Sequence, residues 1–126
     1  GSIRTKKGRK CRFNMWEPKD FGIHTPDTYE NAVAKYGRNN IKRCYTYKAL
    51  NRLIQGSAAD QTKAAIVACK EELDIQPMIQ IHDELCFNLE DRSQIEKIKN
   101  TMENCMELNV PSVVDVATGK NFGEAM

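Results

Sequence analysis

The stretch from Tyr45 to Glu72 constrains this chain most. It contains no proline, and Leu50, Ile54, Ala58, Ala65 and Cys69 recur close to the 3.6-residue helical period. That spacing predicts one long helix over 45–72, along which shorter elements must pack. Gly56 interrupts the pattern at a cost of about 1 kcal/mol relative to alanine. The run Gly56-Ser57-Ala58-Ala59 therefore needs a reason, and close approach of another backbone is the usual one.

The rest of the chain divides around this helix. Residues 3–15 read as a basic hairpin, with Gly8 between two basic stretches and Cys11-Arg12-Phe13 at its end. Residues 16–44 read as a loop and a short helix. Pro18 and Gly22 mark the loop, Thr25 is the expected N-cap, Pro26 fits the first turn and Gly37 stops the helix. Over 78–89 the apolar residues Ile79, Ile81, Leu85, Phe87 and Leu89 all fall on odd positions. A hairpin turning at Asp83-Glu84 is expected there. A two-residue turn reverses that parity, so a bulge or a three-residue connection would suit a one-sided core better. Ser93 and Glu96 form a candidate capping box for a helix over 92–107, and Val113, Val114 and Val116 predict a last strand over 112–118. Locally paired strands with helices between them indicate an α+β fold, a mostly antiparallel sheet flanked by helices.

The length of 126 residues is that of one domain, expected here over 3–126. No apolar run approaches the roughly 20 residues a membrane helix needs. The basic start lacks an apolar core behind it, so no secretory leader is expected. The five cysteines are odd in number and never spaced as Cys-x-x-Cys, which argues against a disulfide framework or zinc site and for a reducing, cytoplasmic setting. The overall charge of +2 conceals a division. Residues 1–52 hold 13 Lys and Arg against 4 Asp and Glu, a net of +9; residues 53–126 hold 6 against 13, a net of −7. Such a split fits a polyanion at one end and cations at the other, or merely two solvated faces.

Three groups of residues could carry chemistry. His82-Asp83-Glu84 places adjacent carboxylates at a turn, where oxygen ligands suit Mg²⁺; solvated turn residues are the plainer reading. Tyr47, Asn51 and Gln55 are spaced i, i+4, i+8 on one helix face, with Lys48 and Arg52 beside them. Their amides could meet the minor-groove acceptors common to every base pair, and the cations could hold phosphates. The alternative is a polar face in water. Arg4, Lys6, Lys7, Arg9, Lys10 and Arg12 on the hairpin could track a nucleic-acid backbone, or could guard an edge strand against aggregation.

At this point three segments resemble the C-terminal end of family A DNA polymerases. They are Gln55-Gly56-Ser57-Ala58-Ala59-Asp60, then Ile81-His82-Asp83-Glu84-Leu85, then Glu103-Asn104-Cys105 through Val110-Pro111. The ending Gly119-Lys120-Asn121-Phe122 is similar too, with Phe122 where a Trp is common, and residues 17–44 with Tyr47–Asn51 look more like phage members. The resemblance implies an incomplete polymerase palm subdomain. Asp83 would be a catalytic metal ligand with Glu84 beside it, in a two-metal Mg²⁺ site completed outside this chain. His82 would lie near the primer terminus, and Asn51 and Gln55 would touch the minor groove. Tyr47 stands where the family often has an Arg. Primer-template DNA, deoxynucleoside triphosphates and the remaining fingers, thumb and palm would be the partners, in host-cell cytoplasm for a phage protein. The other catalytic Asp and the fingers helix have no counterpart here, so the chain alone is expected to be inactive, and an isolated piece to self-associate or rearrange. A phage-type RNA polymerase is the near alternative, disfavoured by Glu84 where a Ser is usual. A non-catalytic duplex-binding or partner-docking module is the alternative of another class.

Overall fold

The computed structural model describes residues 1–125. Its elements run β1 (Ser2–Arg4), β2 (Lys10–Arg12), β3 (Trp16–Pro18), α1 (Tyr29–Tyr36), β4 (Ile41–Arg43), α2 (Ala49–Leu73), β5 (Ile79–Ile81), β6 (Glu84–Cys86), α3 (Ser93–Asn104) and α4 (Phe122–Ala125). The class is α+β. Its strands form three separate antiparallel ladders among the described residues, β1–β2, β3–β4 and β5–β6, in place of one larger sheet. The described residues cluster into two compact units, residues 1–57 and the residues from 58 onward, and the division falls within α2.

In the first unit the small core is Phe13, Ala32, Ile41 and Cys44, with Thr5 buried beside it. The loop expected over 16–24 begins instead as β3, paired with β4 in the register Trp16↔Arg43, Glu17↔Lys42 and Pro18↔Ile41. Cys44 donates its thiol hydrogen to Glu17 Oε2 at 3.2 Å, and burial pushes its pKa up. Helix α1 starts three residues later than Thr25 implies. Thr28 is the N-cap, its hydroxyl accepting from the Asn31 N–H, and Gly37 ends the helix at φ 84°, where a side chain would be strained.

In the second unit Thr62, Ala65 and Cys69 make the buried stripe of α2, and Ile98, Thr101 and Met106 complete the core. The Cys105 thiol has the Met102 carbonyl as its nearer acceptor at 3.0 Å and lies 3.7 Å from the Gln61 carbonyl, which sets the end of α3 against α2. Helix α2 closes on Asp74, whose N–H donates to the Lys70 carbonyl and whose φ of 54° turns the Ile75 N–H back to the Cys69 carbonyl at 3.2 Å. Ser93 is the first residue of α3 rather than its cap. Asp91 accepts from the Ser93 N–H and hydroxyl, while Gln94 Oε1 accepts from the N–H groups of Glu90 and Asp91. Residues 112–118 form no strand. The Val114 N–H donates to Glu103 Oε1 at 3.0 Å instead, and Val113 stays exposed. The short α4 had no periodicity long enough to announce it.

Candidate nucleic-acid and metal-binding residues

The basic hairpin is two-faced by pleat. Its register sets Ser2 opposite Arg12, Ile3 opposite Cys11 and Arg4 opposite Lys10. Because successive side chains alternate, Ile3, Thr5, Cys11 and Phe13 share the inner face, while Arg4, Lys10 and Arg12 share the exposed one. The chain turns through Lys6 and Lys7, and Arg4 donates to the Gly8 carbonyl at 3.0 Å. Arg4 and Lys10 stand directly across the ladder, an arrangement that is unfavourable until an anion joins it.

The inner face seats on the first turns of α2. Arg52 Nη1 donates to Cys11 Sγ at 3.4 Å, and its guanidinium lies 5.4 Å from the centre of the Phe13 ring. A side chain at Gly56 would meet Thr5 Cγ2 at 3.2 Å and Arg9 Cδ at 3.4 Å. The glycine therefore admits side chains of this hairpin, where the sequence had pointed to an approaching backbone. The contact brings Arg9 to the helix one residue from Gln55.

The polar stripe is only partly helical. Tyr45 sits at φ 62°, outside helical geometry, so a 3₁₀ turn of Thr46–Lys48 precedes α2. Asn51 and Gln55 are one turn apart and exposed on α2. Tyr47, 80 % exposed, lies on the preceding 3₁₀ turn and outside α2 itself. Lys48 Nζ lies 4.9 Å from the Tyr45 ring centre and 5.7 Å from that of Tyr47, so both rings hold one cation.

In the second unit β5 and β6 pair Ile79↔Cys86, Gln80↔Leu85 and Ile81↔Glu84. The turn is thus His82-Asp83, one residue earlier than expected, and Glu84 opens β6. His82 takes φ 52°, as a two-residue hairpin loop requires at its first position. The parity reversal follows. Ile79 and Ile81 share a face with Glu84 and Cys86, and all of β5 is exposed. His82, Asp83 and Glu84 are exposed at the head of the hairpin. None of the ion pairs among the described residues involves either acid. Two adjacent carboxylates are hard oxygen donors of the kind Mg²⁺ takes. No group of three or more His, Cys, Asp or Glu side chains among the described residues could hold a metal by itself.

Sequence reasoning did not single out Cys11 and Phe13 as the anchors of Arg52. Their i, i+2 spacing on a hairpin otherwise made of cations was the available signal.

The sequence profile of DNA polymerase family A matches residues 2–124. The chain belongs to that family. It is 42 % identical over 127 aligned residues to a DNA-directed DNA polymerase of Pseudomonas phage M6, a match covering all of this chain and 16 % of the phage protein. It is 38 % identical over 92 residues to DNA polymerase I of Deinococcus radiodurans, covering 68 % of this chain and 10 % of that enzyme. DNA polymerase theta of Drosophila melanogaster is 31 % identical over 109 residues, 75 % of this chain and 5 % of its own length. The chain thus spans about a sixth of the phage relative and less of the others. No solved structure matches it significantly. No helix among the described residues is long and apolar enough to cross a membrane.

Proposed function

We propose that this chain is the C-terminal palm portion of a template-directed family A DNA polymerase, supplying one metal-binding turn and part of the duplex-binding surface. The observation that carries this reading is a pair of exposed carboxylates, Asp83 and Glu84, at the head of a two-residue turn in a chain of that family. The ladder register fixes where the turn stands, so Asp83 is held at its tip and Glu84 on the first residue of β6. These two side chains would hold Mg²⁺, with the remaining ligands outside this chain. When bound, the ion supplies Lewis-acid stabilisation of charge on the transferring phosphate of a deoxynucleoside triphosphate. His82, beside the acids, would face the primer terminus.

The basic unit would hold the primer-template. Asn51 and Gln55 amides can donate to minor-groove acceptors present at every base pair, which tests pair geometry without reading sequence. Arg9, Lys10, Lys48 and Arg52, with Tyr47 beside Lys48, would meet phosphates, a contact that positions the duplex without sequence information.

The chain alone should not extend a primer. Mixed with the fingers, thumb and remaining palm of the polymerase, it should restore extension. Asp83→Ala should then lower the rate by roughly 1,000-fold, the scale of several kcal/mol of lost charge stabilisation. Extension that survives Asp83→Ala would refute the catalytic role. Salt-sensitive duplex binding with no restored extension would make the chain a non-catalytic DNA-binding module.

A further inference from the structure

The basic unit contains a cleft that this reading leaves unused. Trp16 is held on two sides: β3–β4 pairs it with Arg43, and its backbone exchanges hydrogen bonds of 2.8 and 3.0 Å with Asp27. The Arg43 guanidinium stacks 4.7 Å from the indole centre, and its Nη1 donates to the Phe13 carbonyl at 2.8 Å. Tyr29, at the start of α1, meets the indole edge-to-face, with ring centres 5.0 Å apart at 64°. Asn14, Thr28 and Glu30 complete an open cleft of about 600 Å³.

We propose that this cleft takes one unpaired base of single-stranded DNA. The argument is independent of the metal-site reading. Fixed aromatic rings beside a cation, on a unit of net charge +9, are the combination that binds single strands, with stacking for the base and charge for the backbone. A base also has a polar edge, which the Asn14 amide and the Glu30 carboxylate can meet as donor and acceptor. A guanidinium has five N–H donors, so the single bond to Phe13 leaves Arg43 capacity for the attached phosphate. Paired bases have their faces covered by stacking and cannot enter. Glu30 opposes the dense charge of a free triphosphate.

Trp16 is the only tryptophan of the chain and reports on the cleft directly. Titrating the full chain with oligodeoxythymidylate, about a dozen nucleotides long, should quench Trp16 fluorescence saturably. Tyr29→Ala should weaken that binding roughly 5- to 100-fold, the range for losing one stacked base. Asn14→Ala, at an exposed position outside the core, provides a second variant and should weaken it several-fold with an unchanged circular dichroism spectrum. Equal quenching by duplex of the same length would overturn the proposal. So would thymidine monophosphate binding as tightly as the oligonucleotide. Wild-type affinity in both variants would place the strand on the basic hairpin and equally refute the cleft.

Discussion

The two compact units differ in what they do with charge. Residues 1–57 carry the net +9 and residues 58–126 the net −7, so the electrostatic division of the sequence coincides with the structural one. In the basic unit cations are braced. Arg43 lies on Trp16, Lys48 on Tyr45 and Tyr47, and Arg52 on Phe13. Rings hold a cation without neutralising it, so its charge remains available to an external anion. In the acidic unit Asp83 and Glu84 stand at an exposed turn outside every ion pair of the described residues, open to the external cation proposed above. Charge left without an internal counter-ion is common to both groups; the sign and the spacing differ. Phosphates along a strand call for cations spread over a ribbon, whereas a small ion calls for carboxylates at one point.

The sharpest way to break this comparison is to neutralise the point site alone. In the reconstituted polymerase Asp83→Asn keeps the side chain's size and removes its charge, so extension should fall by roughly 1,000-fold. Duplex affinity, measured by fluorescence anisotropy, should remain that of the unaltered chain. A matching loss of duplex affinity would mean that the two units do not divide the work.

A core substitution separates the units by stability. Ile98 is buried in the acidic unit, and Ile98→Ala should cost about 2–5 kcal/mol in denaturant unfolding followed by circular dichroism. Trp16 fluorescence reports on the basic unit and should shift less. Equal shifts would show the units melting as one cooperative block. Smaller still is the effect of one exposed cation. Lys10→Ala should weaken duplex binding several-fold at low salt and reduce the slope of log K against log salt by about 0.9, the value for one phosphate contact. An unchanged slope would remove Lys10 from the surface.

Legibility in the sequence followed the range of the interactions. The 3.6-residue period exposed α2, and the alternation over 79–89 exposed the β5–β6 hairpin, because both patterns are local. The pairing of Trp16–Pro18 with Ile41–Arg43 joins segments separated by α1, and no short window contains it. The expected strand over 112–118 had the right residues, but its Val114 N–H goes to the Glu103 side chain and not to another strand. The acids at 83 and 84 stood out because apolar strands flank them. Their turn was misplaced by one residue because nothing in the composition announces that His82 accepts a positive φ. At Gly56 the sequence showed that something must come close; only the fold names Thr5 and Arg9.

The smallest expected effect tests whether the basic unit's own ion pairs matter to it. Asp27 accepts from Asn31 Nδ2 at 3.0 Å, from Lys35 Nζ at 3.0 Å and from the Thr28 N–H at 2.8 Å. These bonds, that of Asn31 foremost, lower its pKa from 3.8 to about 2, and the bond to Asp27 raises that of Lys35. The folded state therefore binds fewer protons at Asp27 than the unfolded chain does. The stabilisation is fully present above pH 3.8 and is lost as pH falls through about 2. For Lys35 the sign reverses: its contribution is present below 10.5 and is lost as pH rises through the raised value. Lys35 is exposed and Asp27 is half-buried at the surface, so the change should be slight and salt should screen it. Because Asp27 is bridged to Trp16, tryptophan fluorescence follows the acid limb directly. Asp27→Asn should flatten the fluorescence change between pH 4 and pH 2, and an unaltered acid limb in that variant would assign the change to another carboxylate.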